Sequence, residues 1–593
     1  MLNASAAFKN SIQSPIRNRG YIKVTIGLVS MEAQASATVD EDNPLYPVLS
    51  YSNPTSPFNS LSIDGEYATA EPTFSKVDGS RYFAPEAGTS YVRNNGALSE
   101  EVLGGIYIQL TTSQEGYSLA GLSIDFGPVY PTSFRIKTDN ETYTESNDGR
   151  YYESDLSFVG ATYMIITPLE MVNDADARLR IYSLKFGKAL TFGNSDVISF
   201  SSKEYVSPIG DTLPSYDMTL IVNNIGNRFD VDDDYNVMSF MSIGQEVTVQ
   251  HGFDVDGNGN IEWLDPYVSY LATWDANDRE ATFTSMDRFA TAKDKFVLSG
   301  DTMYDGTYHM DDGATAIATQ AYGGATDFSS SKLDDYVFRN PLPYNTYPEL
   351  LQMVANATQS ILRMKARGVL GILDSSATTD YRIELSEIQD NIIARKTAKI
   401  QSVNVSYVLY TKNSSAELEN AVTQDITVSM ADGYSGVFSF DDCFSDWSVS
   451  CEDEGVVASI IDSNPRYVSV AAIRTSGTDG AVTNLVIKGK KYKKVTSSVS
   501  VPLNDNGDII NWDNPLISNA TIAGDVADWL VDYYSSPIDY EVNWRGDPRV
   551  EAGDVVTLER KNKSDVTVRI YQNEFSFNGA WSGRITARRM SNG

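Results

Sequence analysis

Two residue types that carry much of protein chemistry are nearly missing. The 593-residue sequence has two cysteines and two histidines. Paired Cys-x-x-Cys metal sites are therefore excluded. A Ser-His-Asp arrangement would have to use His251 or His309, and no Gly-x-Ser-x-Gly elbow accompanies either. No Gly-x-x-x-x-Gly-Lys-Ser/Thr phosphate loop exists. Basic residues are scarce, 46 against 79 acidic, giving a net charge of −33. Such a chain repels nucleic acid, which is gripped by clusters of Lys and Arg. In so acidic a sequence, carboxylate pairs such as Glu100–Glu101 or Asp232–Asp234 are too common to mark a glycosidase. No run of about 20 apolar residues is present, so no membrane-spanning helix is expected. The opening MLNASAAFKNSIQSP lacks the apolar run of about 7–15 residues that a secretory signal needs. Cys443 and Cys451, in CFSDWSVSC, could bridge neighbouring strands or be two thiols; their scarcity favours reduced thiols assembled inside a cell.

What is abundant points to β-structure. Tyrosine is frequent, at 35 residues, and Ser, Thr, Asn and Asp fill the turns. A chain this long exceeds one core, so roughly three to five domains are expected. Alternation with a period of two marks strands at Tyr21–Leu28, Val247–Val249, Tyr270–Trp274 and Ala281–Met286. More follow at Ile400–Tyr410, Val566–Ile570, Phe575–Phe577 and Arg584–Arg588. Leu122, Ile124 and Phe126, then Phe134 and Ile136, then Tyr163–Thr167 and Leu184 with Phe186, space out like a sandwich. The four prolines of TVDEDNPLYPVLSYSNPTSPFNS set this unit off from the strand before it.

Helix signals are few. TYPELLQMVANATQSILRM predicts a helix from Thr346, an N-cap followed by Pro348 and Glu349. Leu350, Val354, Thr358 and Ile361 would share one face, with Leu351, Ala355 and Leu362 beside it. Arg367-Gly368 then turns the chain into a strand at Val369–Leu373. Ile517–Tyr534 predicts a second long helix. The Gly- and Asp-rich stretch 301–345 reads mostly as loop.

One loop has the oxygen spacing of a calcium site. In DVDGNGNIEWLD, Asp254, Asp256, Asn258 and Asn260 fall at positions one, three, five and seven, Gly259 at six, and Asp265 at twelve in place of the usual Glu. A strand precedes the loop where an EF-hand has a helix, and Asp-Gly with Asn-Gly also reads as a polar hairpin tip. Tyr51, Tyr67, Tyr82, Phe83 and Tyr91 could stack on sugar rings or fill a core. Arg545-Gly546-Asp547 reads as a turn. His251 and His309 read as structural or solvated.

Several stretches carry a family resemblance. VSPIGDTLPSYDMTLIVNNIGNRFDVDDD at 206–234, followed by SIGQEVTVQHGF, resembles the first barrel domain of tail hub proteins of long-tailed phages and related contractile injection machines. WRGDPRVEAGDVVTLE, closing with FSFNGAWSGRITARR, resembles their last barrel domain. GLSIDFGPVYPTSFRIKTDNETYT with RLRIYSLKFG is similar to galactose-binding-like jelly rolls found inside tail proteins of Gram-positive phages. Together the matching segments cover about 60% of the chain, in order.

The resemblance implies a mainly β, multidomain chain with some α+β: two tube-like β-barrel domains, a helix-containing α+β domain and a jelly-roll β-sandwich insert. The barrels would be 1–36 with 190–300, and 506–593 with its leading helix. The insert would be 40–187, the α+β domain 301–410, and a further β-rich domain 411–505. It implies a structural protein of the virion, assembled in the host cytoplasm and not an enzyme. Tail-associated lysins carry an enzymatic domain after the hub, and here the last barrel strands end just before Gly593. A homotrimer would present six barrel equivalents to a hexameric tail tube without symmetry mismatch. Its partners would be the tail tube or distal tail protein, the tape measure protein, and a fibre, spike or receptor-binding protein. DNA would pass but not be bound, along a negative wall; the same charge also serves plain solubility. The insert could bind a host surface glycan, and calcium is the one cofactor the loop suggests.

Overall fold

The computed structural model describes residues 1–30, 33, 36–39, 106–111, 116–127, 130–172, 181, 183–225, 229, 241–292, 308–322, 325–375 and 381–590. The expected Pro-rich lead of the insert, its five named aromatics and the Asn227-Arg228 turn lie outside these residues. The fold is mainly β and multidomain, with several separate sheets and few helices. Among the described residues no helix is long and apolar enough to cross a membrane.

A 14-stranded sheet forms the backbone of the molecule. Its path begins at Gly187–Phe192 and Gly20–Val29, then runs through Glu246–Asp254, Tyr267–Ala276, Glu280–Met286, Ser215–Asn223 and Val197–Tyr205. It continues without interruption through Val566–Phe577, Trp581–Arg589 and Ile538–Trp544 to Ile393–Lys396. Alternation places every second side chain inside. Ile22, Val24, Ile26 and Leu28 join Leu220, Val222, Val247, Val249, Leu271 and Phe283 in the first core. Tyr540, Val542, Trp544, Val556, Val568, Ile570 and Ile585 make the second. The N-terminal helix Ala6–Ile12 is capped by Ser5 and lays Phe8 and Ile12 against Phe253 and Leu264.

Two β-modules are spliced into hairpin tips of this framework. Val29 pairs with Gly187 across one hairpin, and the chain between them forms two small sheets around Phe126, Phe134, Phe158 and Phe186. Thr411 pairs with Lys493 across another, and residues 418–491 form two three-stranded sheets.

Helices gather in a third core. Tyr347–Ala357 starts with the expected capping box, Thr346 and Glu349 bonding reciprocally, and Pro348 lies in the first turn. The helix is shorter than its apolar pattern predicts. It stops at Ala357, where the Thr358 hydroxyl bonds back to the Val354 carbonyl and Gln359 adopts φ 50°. Ile361 and Leu362 therefore lie on the strand Ser360–Lys365, which pairs with Val369–Asp374. Arg367 and Gly368 make the turn between them, both at positive φ.

The stretch read as loop contains a 12-residue helix, Met310–Ala321. Met310, Ala314, Ile317 and Ala318 recur at helical spacing, and all are buried. Gly313 conceals the pattern, and it has a packing reason. A Cβ there would lie 2.0 Å from the Phe338 ring, so only glycine lets the ring close on the helix. Helix Ala520–Ser535, capped by Asn519, packs on Ile400–Thr411 and Lys493–Pro502, joining this core.

Candidate functional site: the seam between two halves of the sheet

Two halves of the large sheet, one around each core, meet where Val197–Tyr205 pairs antiparallel with the C-terminal half of Val566–Phe577. The register sets Phe200 opposite Phe577, Ser202 opposite Phe575 and Glu204 opposite Asn573. The long strand serves both units. Its first half sends Val566, Val568 and Ile570 into the second core. Its last residues send Phe575 and Phe577 into the first. Neither half of the sheet can leave without stripping aromatic surface from the other, at about 25 cal/mol per Å².

A buried charge network closes one end of the seam. Arg363, on the Ser360–Lys365 strand, bridges Glu551 at 2.8 Å and donates to the Ala552 carbonyl at 2.6 Å. The Met1 ammonium bonds Asp554 at 2.7 Å and Glu551 at 3.1 Å. Glu204, from the first half of the sheet, accepts the Ala552 N–H at 2.7 Å. Three units and the N-terminus thus converge within one cluster. Burial pushes the Glu204 carboxyl up to about 8, and Glu551 and Asp554 add to this against the pull of Arg363. Burial also raises Asp554, whereas Arg363 and the ammonium overcome burial and hold Glu551 below the usual carboxylate range. Burial brings the Arg569 guanidinium down to about 10; it donates to the Gly553 and Ser375 carbonyls.

The Arg-Gly-Asp triplet belongs to this architecture. Asp547 is 1% exposed and holds Arg549 in a two-pronged ion pair. Arg17 donates to the carbonyls of Arg545 and Gly546 and to Glu387. A receptor could not reach such an aspartate.

Asp254, Asp256, Asn258 and Asn260 lie at the tip of the hairpin joining Glu246–Asp254 to Ile261–Trp263. Asp254 accepts from the N–H groups of Gly257 at 2.8 Å and Gly259 at 3.1 Å, and Asp256 accepts from Asn258 at 2.9 Å. Gly257 and Gly259 have φ of 76° and 90°, which the tight turn requires. Asp265 is turned elsewhere, to Arg367 at 2.5 Å. The structure thus brings four of the five oxygen donors to one tip and sends the fifth to an ion pair. No group of three or more His, Cys, Asp or Glu side chains able to hold a metal ion occurs among the described residues.

His309 caps the Met310–Ala321 helix with Asp312, and its Nδ1 lies 2.6 Å from the Asp334 carbonyl. His251 is buried among Phe200, Phe575 and Trp581, and burial lowers its pKa to about 3. Cys443 and Cys451 are free thiols flanking and ending the strand Phe444–Cys451. Eight residues of extended chain separate them by roughly 26 Å, beyond any disulfide. The seam network was not singled out from the sequence. Its signal in the sequence is slight: Glu204 sits in a mixed polar strand, and Glu551 and Asp554 flank an Ala-Gly corner between valines.

No protein-family model matches the sequence, and no curated protein matches it. The solved structures it resembles are phage and prophage tail proteins and secretion-system components. A 43 kDa tail protein of prophage MuSo2 from Shewanella oneidensis is 10% identical, with TM-score 0.36 over 67% of this chain and 94% of that one. A tail protein from Neisseria meningitidis MC58 is 9% identical, with TM-score 0.38 over 68% and 93%. Prophage tail protein gp18 from Listeria monocytogenes EGD-e is 9% identical, with TM-score 0.33 over 67% and 91%. At such values these likenesses carry no weight for function, which has to come from the chain's own geometry.

Proposed function

We propose that this chain is a non-catalytic hub at the tip of a tail or injection tube, acting as a homotrimer. One observation carries the reading: two halves of one sheet, each with its own core, are fused edge to edge through a shared strand, and we read each half as one barrel unit. One polypeptide then supplies two neighbouring positions of a ring, and three copies supply six. The tube protein, the tape measure protein and a fibre or spike protein are the partners this role requires. The acidic surface suits a wall past which DNA slides without adhering. The test is mass measurement of the purified chain, with imaging of particles in which it is labelled. A trimer at the tube end is expected; a stable monomer absent from particles would overturn the proposal.

A second reading, attachment to a host glycan through the insert, is supported by one cleft. A cavity of about 340 Å³ lies where the insert meets the first barrel, floored by Ile124 and Tyr152 and flanked by Glu153, Lys185, Lys188 and Thr248. Tyr151, at its rim, is 68% exposed, with Arg150 over its ring. An aromatic face amid hydroxyls and charges suits a sugar ring. Saccharide titrations of the full chain and of Tyr151→Ala test this: binding lost in the variant supports it, and no binding to either refutes it.

A further inference from the structure

The seam contains a second, smaller void whose lining is polar where it need not be. A cavity of about 20 Å³ is lined by Ser202, Glu204, Tyr216, His251, Tyr267 and Asn573, together with Pro548, Val550 and Phe575. It lies inside the joint, because Ser202 and Glu204 come from one seam strand and Asn573 and Phe575 from the other. Two buried atoms of these side chains have no hydrogen-bond partner among the described residues: Tyr216 Oη and His251 Nδ1. Ser202, on the same wall, interacts electrostatically with the Tyr216 hydroxyl without meeting the geometric criteria of a hydrogen bond. A buried polar atom left dry bears the full cost of its lost hydration. A void of at least about 10–15 Å³ with two to four polar partners meets the requirement for an ordered water, whereas dry cavities are apolar.

We infer that this cavity binds one water molecule, which bridges Tyr216, His251 and Glu204 and makes the barrel-to-barrel joint a polar, proton-carrying one. The inference goes beyond the hub role and stands or falls separately from it, since the fused sheet exists with or without the water. The chemistry of each partner is complementary. His251 is neutral, because burial forbids its charged form, so Nδ1 can accept from or donate to water according to its tautomer. Tyr216 keeps its phenol proton, its pKa driven well up by burial. Glu204 already uses one oxygen to accept the Ala552 N–H. Its charge is opposed by burial and by Glu551 and Asp554, and favoured by Arg363. The Met1 ammonium sits on Glu551 and Asp554. Arg569 lies near Asp554 on the far side. From the first barrel, Tyr216 and Tyr267 face Glu204 as stacked rings 5.3 Å apart. The cations therefore bond Glu551 and Asp554 directly, whereas Glu204 has only the longer-range pull of Arg363 against the burial that raises its pKa.

The sign of the consequence follows. A carboxyl whose folded pKa exceeds its unfolded value stabilises the fold below the unfolded pKa and loses that contribution as pH rises through the folded one. The window for Glu204 runs from the ordinary carboxylate range to about 8.

Two measurements on the full chain test this. A high-resolution crystal structure should show one density peak within about 2.7–3.2 Å of both Tyr216 Oη and His251 Nδ1. The same peak should vanish in Tyr216→Phe while the surrounding side chains stay in place. An empty cavity, or one closed by a direct Tyr216–His251 bond, would overturn the water. For the proton, melting temperature is followed from about pH 5 to 8 in wild type and in Glu204→Gln, so that the titration of the other buried carboxyl, Asp287, is common to both and cancels. The wild type should lose stability across the window, and Glu204→Gln, which keeps a neutral hydrogen-bonding group, should flatten the loss. An equal slope in both would overturn the proton.

Discussion

The two inserted sandwiches answer the same structural problem with different cores. The first, between Val29 and Gly187, is packed with aromatic rings. Phe126 meets Phe134 edge-on at 5.2 Å, Phe134 meets Tyr152 at 4.8 Å, and Tyr143 meets Phe158 at 5.6 Å. The second, between Thr411 and Lys493, has only aliphatic residues in its buried core: Ile426, Val428, Val456, Val468, Val470, Ala472, Leu485 and Ile487. Its rings, Phe440, Phe444 and Trp447, cluster at the side. It also leaves Val437, Val457, Ile461 and Ile473 exposed on its outer sheet. Its bracing comes from outside. Tyr467 stacks on Tyr344 at 5.4 Å, Arg466 lies over Tyr410, and Asn340 bonds both Val408 and Tyr410 of the Ile400–Thr411 strand. The described core of the first insert is closed by its own rings; the second also leans on the helical core below it.

The largest expected effects test that contrast. Phe134→Ala should cost about 4 kcal/mol and, in calorimetry, lower one transition while leaving the rest of the molecule in place. Ile487→Ala should cost about 3 kcal/mol, but shift a transition shared with the helices. If Phe134→Ala moves every transition together, the independence of the first insert is broken. Tyr344→Ala should weaken the second insert alone by about 1 kcal/mol, seen as earlier proteolysis within 418–491. A smaller effect separates both inserts from the framework by pH. Asp287 caps a short helix and accepts from Tyr216, and burial pushes its pKa up to about 7. Its folded pKa lies above the unfolded one, so framework stability should fall as pH rises from about 4 to about 7, and Asp287→Asn should remove that part of the slope. The smallest is Asp254→Ala, which frees the N–H groups of Gly257 and Gly259 and should cost the hairpin about 1 kcal/mol, read by local hydrogen exchange.

Strands were legible wherever one face is buried and the other wet, because the period of two then appears in the letters. Gly20–Val29, Glu246–Asp254 and Trp581–Arg589 are of this kind. The expected Thr346 cap was legible because capping chemistry is local. What was hidden depends on contacts distant in sequence. The helix after Tyr347 ends early because the Ser360–Lys365 strand finds partners in Val369–Asp374 and, through Arg363, in Glu551. Gly313 disguised a helix because Phe338 sits against it. The seam itself was invisible, since nothing in Val197–Tyr205 names Val566–Phe577 as its neighbour. The calcium-like spacing was legible, but the Asp265–Arg367 pair was not, because a turn 102 residues away supplies the arginine.

Splicing at hairpin tips has a consequence for how such a chain can change. At Val29–Gly187 and Thr411–Lys493 the departing and returning backbones are adjacent rungs of one ladder, so whatever hangs there enters and leaves through a gap of only about 5 Å. A passenger of any size can be exchanged at either port while the registers beneath it stay fixed. Outward-facing parts are then free to diversify on a chassis that does not notice.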